Sequence, residues 1–289
     1  MRLVATLLVR DEADVVAATI EHHLAQGVAM VVATDNGSVD GTVEVLRAYQ
    51  RAGVLELHHE PSHDYRQARW VTAMARRAAS VHGADWVINL DADEFWVPAD
   101  RSRRLVDVLA EVPADRGTVL ARRTDLVGFP DVGRLGRGRP WVRRLRWRNL
   151  RTVSERGTPL APKVCHRGDP DVVVPQGNHD AVGPLLGARL ETEPLDVLHV
   201  PLRSWPQFRT KIANGGSAYA ANTELDPEVG WHWRADHARL AAGTLEDAYR
   251  ARCLTVPALV RGLRAGTLVR DRWLERELGR MPRLRPTLR

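Results

Sequence analysis

The first ninety residues predict an α/β fold built on a parallel sheet, and two observations carry that prediction. Four short apolar runs alternate with three helical stretches, and polar loops fall at the ends of the first, second and fourth runs. Alternating strands and helices give parallel strands joined by right-handed crossovers. Such sheets collect ligands beyond the carboxyl ends of their strands, which is where Arg10 to Glu12, Asp35 to Asp40 and Asp91 to Glu94 fall.

Leu3 to Val9 has no polar alternation, as expected of a strand buried on both faces. Val15 to Gln26 has apolar residues at helical spacing, with Asp14 as N-cap and Gly27 as stop. Val28 to Ala33 is the second strand. A turn-rich loop from Asp35 to Thr42 leads into a helix over Val43 to Ala52, with Asp40 placed to cap it. Val54 to His58 is the third strand, residues 66 to 82 are helical, and Asp85 to Leu90 is a fourth strand ending at Asp91.

Residues 115 to 200 are rich in Gly, Pro and Arg. Thr118 to Ala121, Asp171 to Val174 and Leu195 to Leu198 read there as short strands, and Pro130 to Arg148 as a long loop. From Trp205 the pattern turns helical, and it ends in a basic tail, Arg270 to Arg289.

A chain of 289 residues suits one large domain or a core with an appended lobe. Its net charge of +6, with basic residues that are overwhelmingly arginine, favours anionic partners: phosphates on a small ligand, nucleic acid or an acidic membrane surface. Arginine excess is also a compositional habit of GC-rich genomes, so charge alone does not choose. Cys165 and Cys253 lie in no metal-ligand spacing and read as reduced thiols. Met1 opens onto a strand pattern without a leader, and no apolar stretch approaches the roughly 20 residues of a membrane span. The expectation is a cytoplasmic protein with no transmembrane segment, with peripheral contact at the inner face of a membrane left open.

Asn89-Leu90-Asp91-Ala92-Asp93-Glu94-Phe95-Trp96 is the most informative stretch. Two carboxylates brought close repel unless a cation or proton relieves them. Mg²⁺ or Mn²⁺ takes oxygen ligands and shares its shell with substrate phosphates. An isolated Asp-x-Asp is common and usually solvated; its place directly after a buried strand is what raises its weight. Phe95 reads as core.

Other classes fit less well. A dinucleotide-binding oxidoreductase lacks Gly-x-Gly-x-x-Gly after Val9. A metal-dependent phosphotransferase or nucleotide hydrolase also uses paired aspartates, but aspartyl-phosphate enzymes set them after the first strand. A non-enzymatic nucleic-acid binder would explain the arginines but not carboxylates at three strand ends, so no nucleic-acid partner is expected.

Three motifs carry a family resemblance: Arg10-Asp11-Glu12, Asp35-Asn36-Gly37-Ser38-Val39-Asp40-Gly41-Thr42 and Asp91-Ala92-Asp93-Glu94-Phe95. In this order they resemble the family 2 glycosyltransferases with Arg-Asn-Glu, Asp-Asn-x-Ser-x-Asp-Gly-Thr and Asp-x-Asp-Glu-Phe, departing at Asp11, where the branch usually has Asn. The likeness continues more loosely through Lys163-Val164, Gly177-Asn178-His179 and His199 to Ser204, ending near Lys211.

The resemblance implies a GT-A fold: a nucleotide-sugar half over residues 1–100, an acceptor half over 101–204 and a helical, basic region over 205–289. It implies a metal-dependent glycosyltransferase moving a sugar from a nucleotide-diphosphate donor, a UDP-sugar, to an acceptor hydroxyl with inversion. Asp35 then matches the carboxylate on the nucleotide base. Asp91 matches the member nearer the ribose or donor sugar and, with Asp93 and His199, the set holding Mn²⁺ or Mg²⁺. Arg10 and Glu12 belong to the donor site. Arg203 and Lys211, eight residues apart and so close to two helical turns, are placed to face one diphosphate.

Inversion needs a base for the acceptor hydroxyl. Asp180 is the first candidate and His179 the second, while Glu94 reads as orienting a neighbour. Trp231-His232-Trp233 is the candidate acceptor wall; Trp141 and Trp147 read mainly as buried area. The acceptor itself stays open among a glycan, a lipid-linked saccharide, a peptide and a natural product.

Overall fold

The computed structural model describes residues 1–62, 66–131, 140–153, 156–221 and 230–281. The first ninety residues give β1 (Leu3–Val9), α1 (Val16–Ala25), β2 (Val28–Asp35), α2 (Thr42–Arg51), β3 (Leu55–His59), α3 (Gln67–Ser80) and β4 (Trp86–Asp91). Next come β5 (Glu94–Pro98), α4 (Leu105–Ala110), β6 (Arg116–Val127), α5 (Pro140–Arg144), β7 (Trp147–Asn149), β8 (Lys163–Arg167), β9 (Ala188–Arg189) and β10 (Leu195–His199). The remainder is α6 (Trp205–Ala221), α7 (Trp231–Ala241), α8 (Leu245–Arg252), α9 (Val256–Arg264), β11 (Leu268–Arg270) and α10 (Trp273–Arg280).

One sheet runs in the order β11-β7-β6-β8-β4-β1-β2-β3. β3, β2, β1 and β4 are parallel neighbours, and β8 lies antiparallel between β4 and β6. β10 pairs antiparallel with β5 and parallel with β6. The chain leaves β1 for β2 on one side and returns to β4 on the other, so the switch point lies at the end of β1. Register sets the level: Val9 pairs with Asp35 and Leu8 with Asp91. This mixed α/β sheet flanked by helices has the GT-A-like form that the motifs imply.

Successive strand residues point to opposite faces, and β1 divides accordingly. Leu3, Ala5 and Leu7 enter a core with Ile20, Leu46, Trp86, Phe95 and Trp96, while Val4 joins Val32, Val71, Met74 and Val87 on the other face. Phe95 is core, as its sequence context suggests. Leu274 and Leu278 of α10 return to the first core, whereas α6 and α8 bury a cluster of their own around Phe208, Ile212, Leu245 and Tyr249.

Several local expectations change. Asp14 does not cap α1: its carboxylate accepts from Arg203 Nε at 2.8 Å, and Val15 stands at the cap without a side-chain bond. Asp40 does serve the start of α2, accepting from Thr42 N at 3.0 Å. Asp171 to Val174 forms no strand but a single bridge, Val173 to Val182. Within the predicted 130–148 loop, α5 and the start of β7 form, and residues 132–139 lie outside the described residues. The end of the basic tail, residues 282–289, does so too.

His22 and His23 of α1 are fully buried and clamp β5: His22 Nε2 lies 2.7 Å from Trp96 O, and Trp96 N donates to His23 Nε2 at 3.2 Å. Burial pushes His22 down to about 4, so it is neutral at pH 7. Among the described residues no helix is long and apolar enough to cross a membrane. Cys165 and Cys253 are buried and free.

Candidate active site

The loop after β4 turns at once into β5, so Asp91, Asp93 and Glu94 all sit beyond the switch point. Thr19 of α1 donates to Ala92 O, and Val200 N donates to Asp93 O at 2.9 Å, which fixes this turn between α1 and the end of β10. The two aspartates then face different surroundings.

Asp93 is 2% exposed. Its Oδ2 meets Lys211 Nζ at 2.5 Å, Arg203 Nη1 at 3.5 Å and His199 Nε2 at 3.5 Å. Burial pushes its pKa up, but Lys211, His199 and Arg203 together hold it well below the usual carboxylate range. His199 donates from Nδ1 to Asp125 Oδ1 at 2.7 Å. Burial disfavours its charge, yet Asp93 and Asp125 outweigh that and raise it to about 9. Arg203, buried at the foot of α6, also binds Glu12 and Asp14, and Lys211 lies 3.5 Å from Glu12 Oε1. Burial raises the Glu12 pKa despite both cations.

Asp91 looks the other way. Lys163 Nζ donates to its Oδ2 at 2.6 Å and Asn178 Nδ2 to its Oδ1 at 3.3 Å. Lys163 is 1% exposed and also reaches Gly177 O at 2.9 Å and Glu94 Oε1 at 3.3 Å. Burial opposes its charge, but Asp91 and Glu94 raise its pKa. Arg123 stands 3.6 Å from Glu94. The carboxyl of Glu94 has ion partners but no hydrogen bond, and burial raises its pKa.

Asp35 is buried at the end of β2. Ser38 N donates to its Oδ2 at 3.2 Å, and among the described residues no donor reaches Oδ1. Arg10 follows β1, half-buried. Asp11, in the left-handed region at φ 52°, ties three elements: its carboxylate accepts from Val39 N at 2.7 Å and from Asn214 Nδ2 of α6 at 2.5 Å, and its own N–H donates to Ser38 Oγ.

His179 lies with Nδ1 2.8 Å from Pro162 O. That carbonyl can only accept, so Nδ1 carries the proton and Nε2 the lone pair. Burial and Lys163 lower its pKa, keeping it neutral. A Cβ on Gly177 would stand 2.6 Å from the His179 ring, so only glycine admits it there, at φ 86°. Asp180 is half-exposed and paired with Arg189 at 3.1 Å.

Of the metal set expected from sequence, Asp93 and His199 come together and Asp91 does not join them. Among the described residues no group of three or more His, Cys, Asp or Glu side chains converges for a metal. A pair still fits a hard divalent ion. Donors adjacent on an octahedral ion with bonds of about 2.1 Å lie roughly 3 Å apart, near the 3.5 Å seen here. A carboxylate behind the far histidine nitrogen, as Asp125 provides, is the usual way a ligating imidazole is oriented.

Sequence reasoning named Lys163 and Asn178 without giving them a role, read Asp14 as a helix cap, and missed Asp125. One signal was available. Among 42 basic residues only Lys163 and Lys211 are lysine, and each ends on one aspartate of the Asp-Ala-Asp turn. The expected Trp231-His232-Trp233 wall is divided: Trp233 stacks on Tyr219 of α6, and Trp231 carries Arg156 at 4.2 Å over its ring.

Residues 4–124 match the sequence profile of glycosyltransferase family 92. This match supports a glycosyltransferase with a GT-A-like fold. No curated protein matches the chain. Among solved structures, residues 1–349 of S. aureus TarS with UDP-GlcNAc are 11% identical, covering 92% of this chain and 93% of that one, with a TM-score of 0.43. A longer TarS chain is 14% identical at a TM-score of 0.39, and this chain spans 43% of its length. Glucosyl-3-phosphoglycerate synthase from Mycobacterium tuberculosis, in complex with Mn²⁺, UDP and glucosyl-3-phosphoglycerate, is 16% identical, covering 46% of each chain, with a TM-score of 0.28.

Proposed function

We propose that this chain transfers a glycosyl group from a UDP-sugar to an acceptor hydroxyl with inversion, using Mn²⁺ or Mg²⁺ held by Asp93 and His199. The observation that carries this is the Asp125–His199–Asp93 line at the switch point, with His199 Nε2 turned to Asp93 Oδ2. The motifs resembling family 2 support it through Asp35, Asp91 and Asp93, and the donor chemistry suits a cytoplasmic protein.

A bound divalent ion supplies positive charge against the departing diphosphate. Arg203, just before α6, and Lys211 on α6 add preorganised cationic groups beside it. Asp35 Oδ1, which takes no donor among the described residues, is matched to an N–H of the base. Asp91, oriented by Lys163 and Asn178, is matched to a ribose or donor-sugar hydroxyl.

His179 is the better base of the two candidates, because it is neutral with its lone pair on Nε2, while Asp180 is committed to Arg189. In the step itself, the acceptor oxygen bonds to the anomeric carbon and its proton passes to His179 Nε2. The bond from that carbon to the diphosphate oxygen breaks, and UDP leaves.

The test is a thermal shift with UDP and Mn²⁺ against UDP and a chelator, followed by a nucleotide-sugar panel scored for UDP release. A metal-dependent rise and release from one UDP-sugar support the proposal. Release of inorganic phosphate in place of free sugar would instead identify a nucleotide hydrolase.

A further inference from the structure

Outside the site, one surface combines two properties that seldom coincide. Eleven large hydrophobic residues are exposed among the described residues, and eight of them lie outside every helix and strand. The other three, Val256, Val260 and Leu263, all lie on α9, exposed by 63%, 41% and 45%. At 100° per residue their spacing places them within about 60° of one another, one residue per turn. The helix cannot roll to hide them. On its inner side Gly262 lies so close to β11 that a Cβ there would stand 2.5 Å from Leu268 Cδ1, and Thr267 N donates to Gly262 O at 2.9 Å.

Charge completes the surface. From Leu254 to Arg270 the sequence holds three arginines and no Asp or Glu. Arg261, Arg264 and Arg270 are exposed and make no ion pair among the described residues. Two copies meeting symmetrically through this face would set arginines against arginines with no carboxylate of the segment between them, and a nucleic acid would leave the apolar stripe in water. An anionic bilayer satisfies both, burying the stripe at the acyl boundary and placing guanidinium groups among the headgroups.

We propose that α9 is a membrane-surface contact that seats the protein on bilayers carrying anionic phospholipid. It stands independently of the transfer chemistry, since none of these residues belongs to the site. Co-sedimentation of the full chain with phosphatidylcholine vesicles, and with vesicles containing about one-third phosphatidylglycerol, tests it.

Binding to the anionic vesicles only, weakened by salt, is expected. Arg261→Gln/Arg264→Gln/Arg270→Gln should lower partitioning about 100-fold, and Val256→Ser/Val260→Ser/Leu263→Ser at least tenfold. Melting temperature and UDP binding, both unchanged in these surface variants, separate lost docking from misfolding or a failed donor site. Equal partitioning of wild type and both triple variants, or no partitioning of the wild type, overturns the proposal. So does a dimer in light scattering that the serine variant abolishes, because the stripe would then be a protein interface.

Discussion

The two lysines of this chain serve the two aspartates of one turn in different ways. Lys163 projects from a strand inside the sheet, 1% exposed, and is held by Asp91, Glu94 and a backbone carbonyl. Lys211 projects from α6, its side chain about one-quarter exposed, and shares Asp93 with His199 and Arg203. The first arrangement orients Asp91 through a buried cation. The second gathers two cations, an imidazole and a carboxylate beyond the carboxyl ends of the strands. Asp91 is thus oriented by fixed partners on its own side, and Asp93 faces the histidine and cations on the other.

The largest expected effect comes from the Asp93 side. Asp93→Asn should lower kcat/KM about 10³-fold, read from UDP release at saturating acceptor; near wild-type turnover would break the comparison. Lys163→Met comes next and should act on stability, by about 3 kcal/mol in denaturant melts, because it strands Glu94 and Asp91 without their buried cation. Its UDP affinity should stay within a few-fold of wild type. Lys211→Met should do the reverse, weakening UDP about tenfold while costing roughly 1 kcal/mol of stability. If both variants lose stability equally, the division between the two sides fails.

Stability against pH sharpens the contrast further. His199 is raised to about 9 in the fold, so its contribution is complete below the unfolded value near 6.5 and is lost as pH rises through 9. His22 and His166 are lowered to about 4, so theirs is present above 6.5 and declines as pH falls toward 4. The metal-free protein should be most stable near pH 6.5, and His199→Gln should flatten only the alkaline limb. The smallest effect belongs to Asp11→Asn, which keeps one acceptor and tolerates the left-handed backbone. Less than about 1 kcal/mol is expected in the same melts.

Much of this was legible in the sequence, and the boundary is physical. Leu3–Val9 as a strand, Gly27 as a helix stop and Phe95 as core all follow from local pattern, since apolar periodicity reports directly on burial. Asp14 was misread because a carboxylate before a helix has the same local appearance whether it caps that helix or binds Arg203, 189 residues away. The separation of Asp91 from Asp93 was likewise hidden: Asp-x-Asp looks symmetric in a string, and only Lys163 and Asn178, brought from distant segments, turn one carboxylate aside. Asp125 sits in a twelve-residue strand with nothing local to mark it.

The central claim is that Asp93, with His199, holds the divalent ion and Asp91 does not. Electron paramagnetic resonance of Mn²⁺ titrated into protein and UDP tests it on wild type, Asp91→Asn and Asp93→Asn. The account predicts tight Mn²⁺ binding that persists within a few-fold in Asp91→Asn and vanishes in Asp93→Asn. Equal loss in both variants, or a wild type that binds UDP without taking up Mn²⁺, would contradict it.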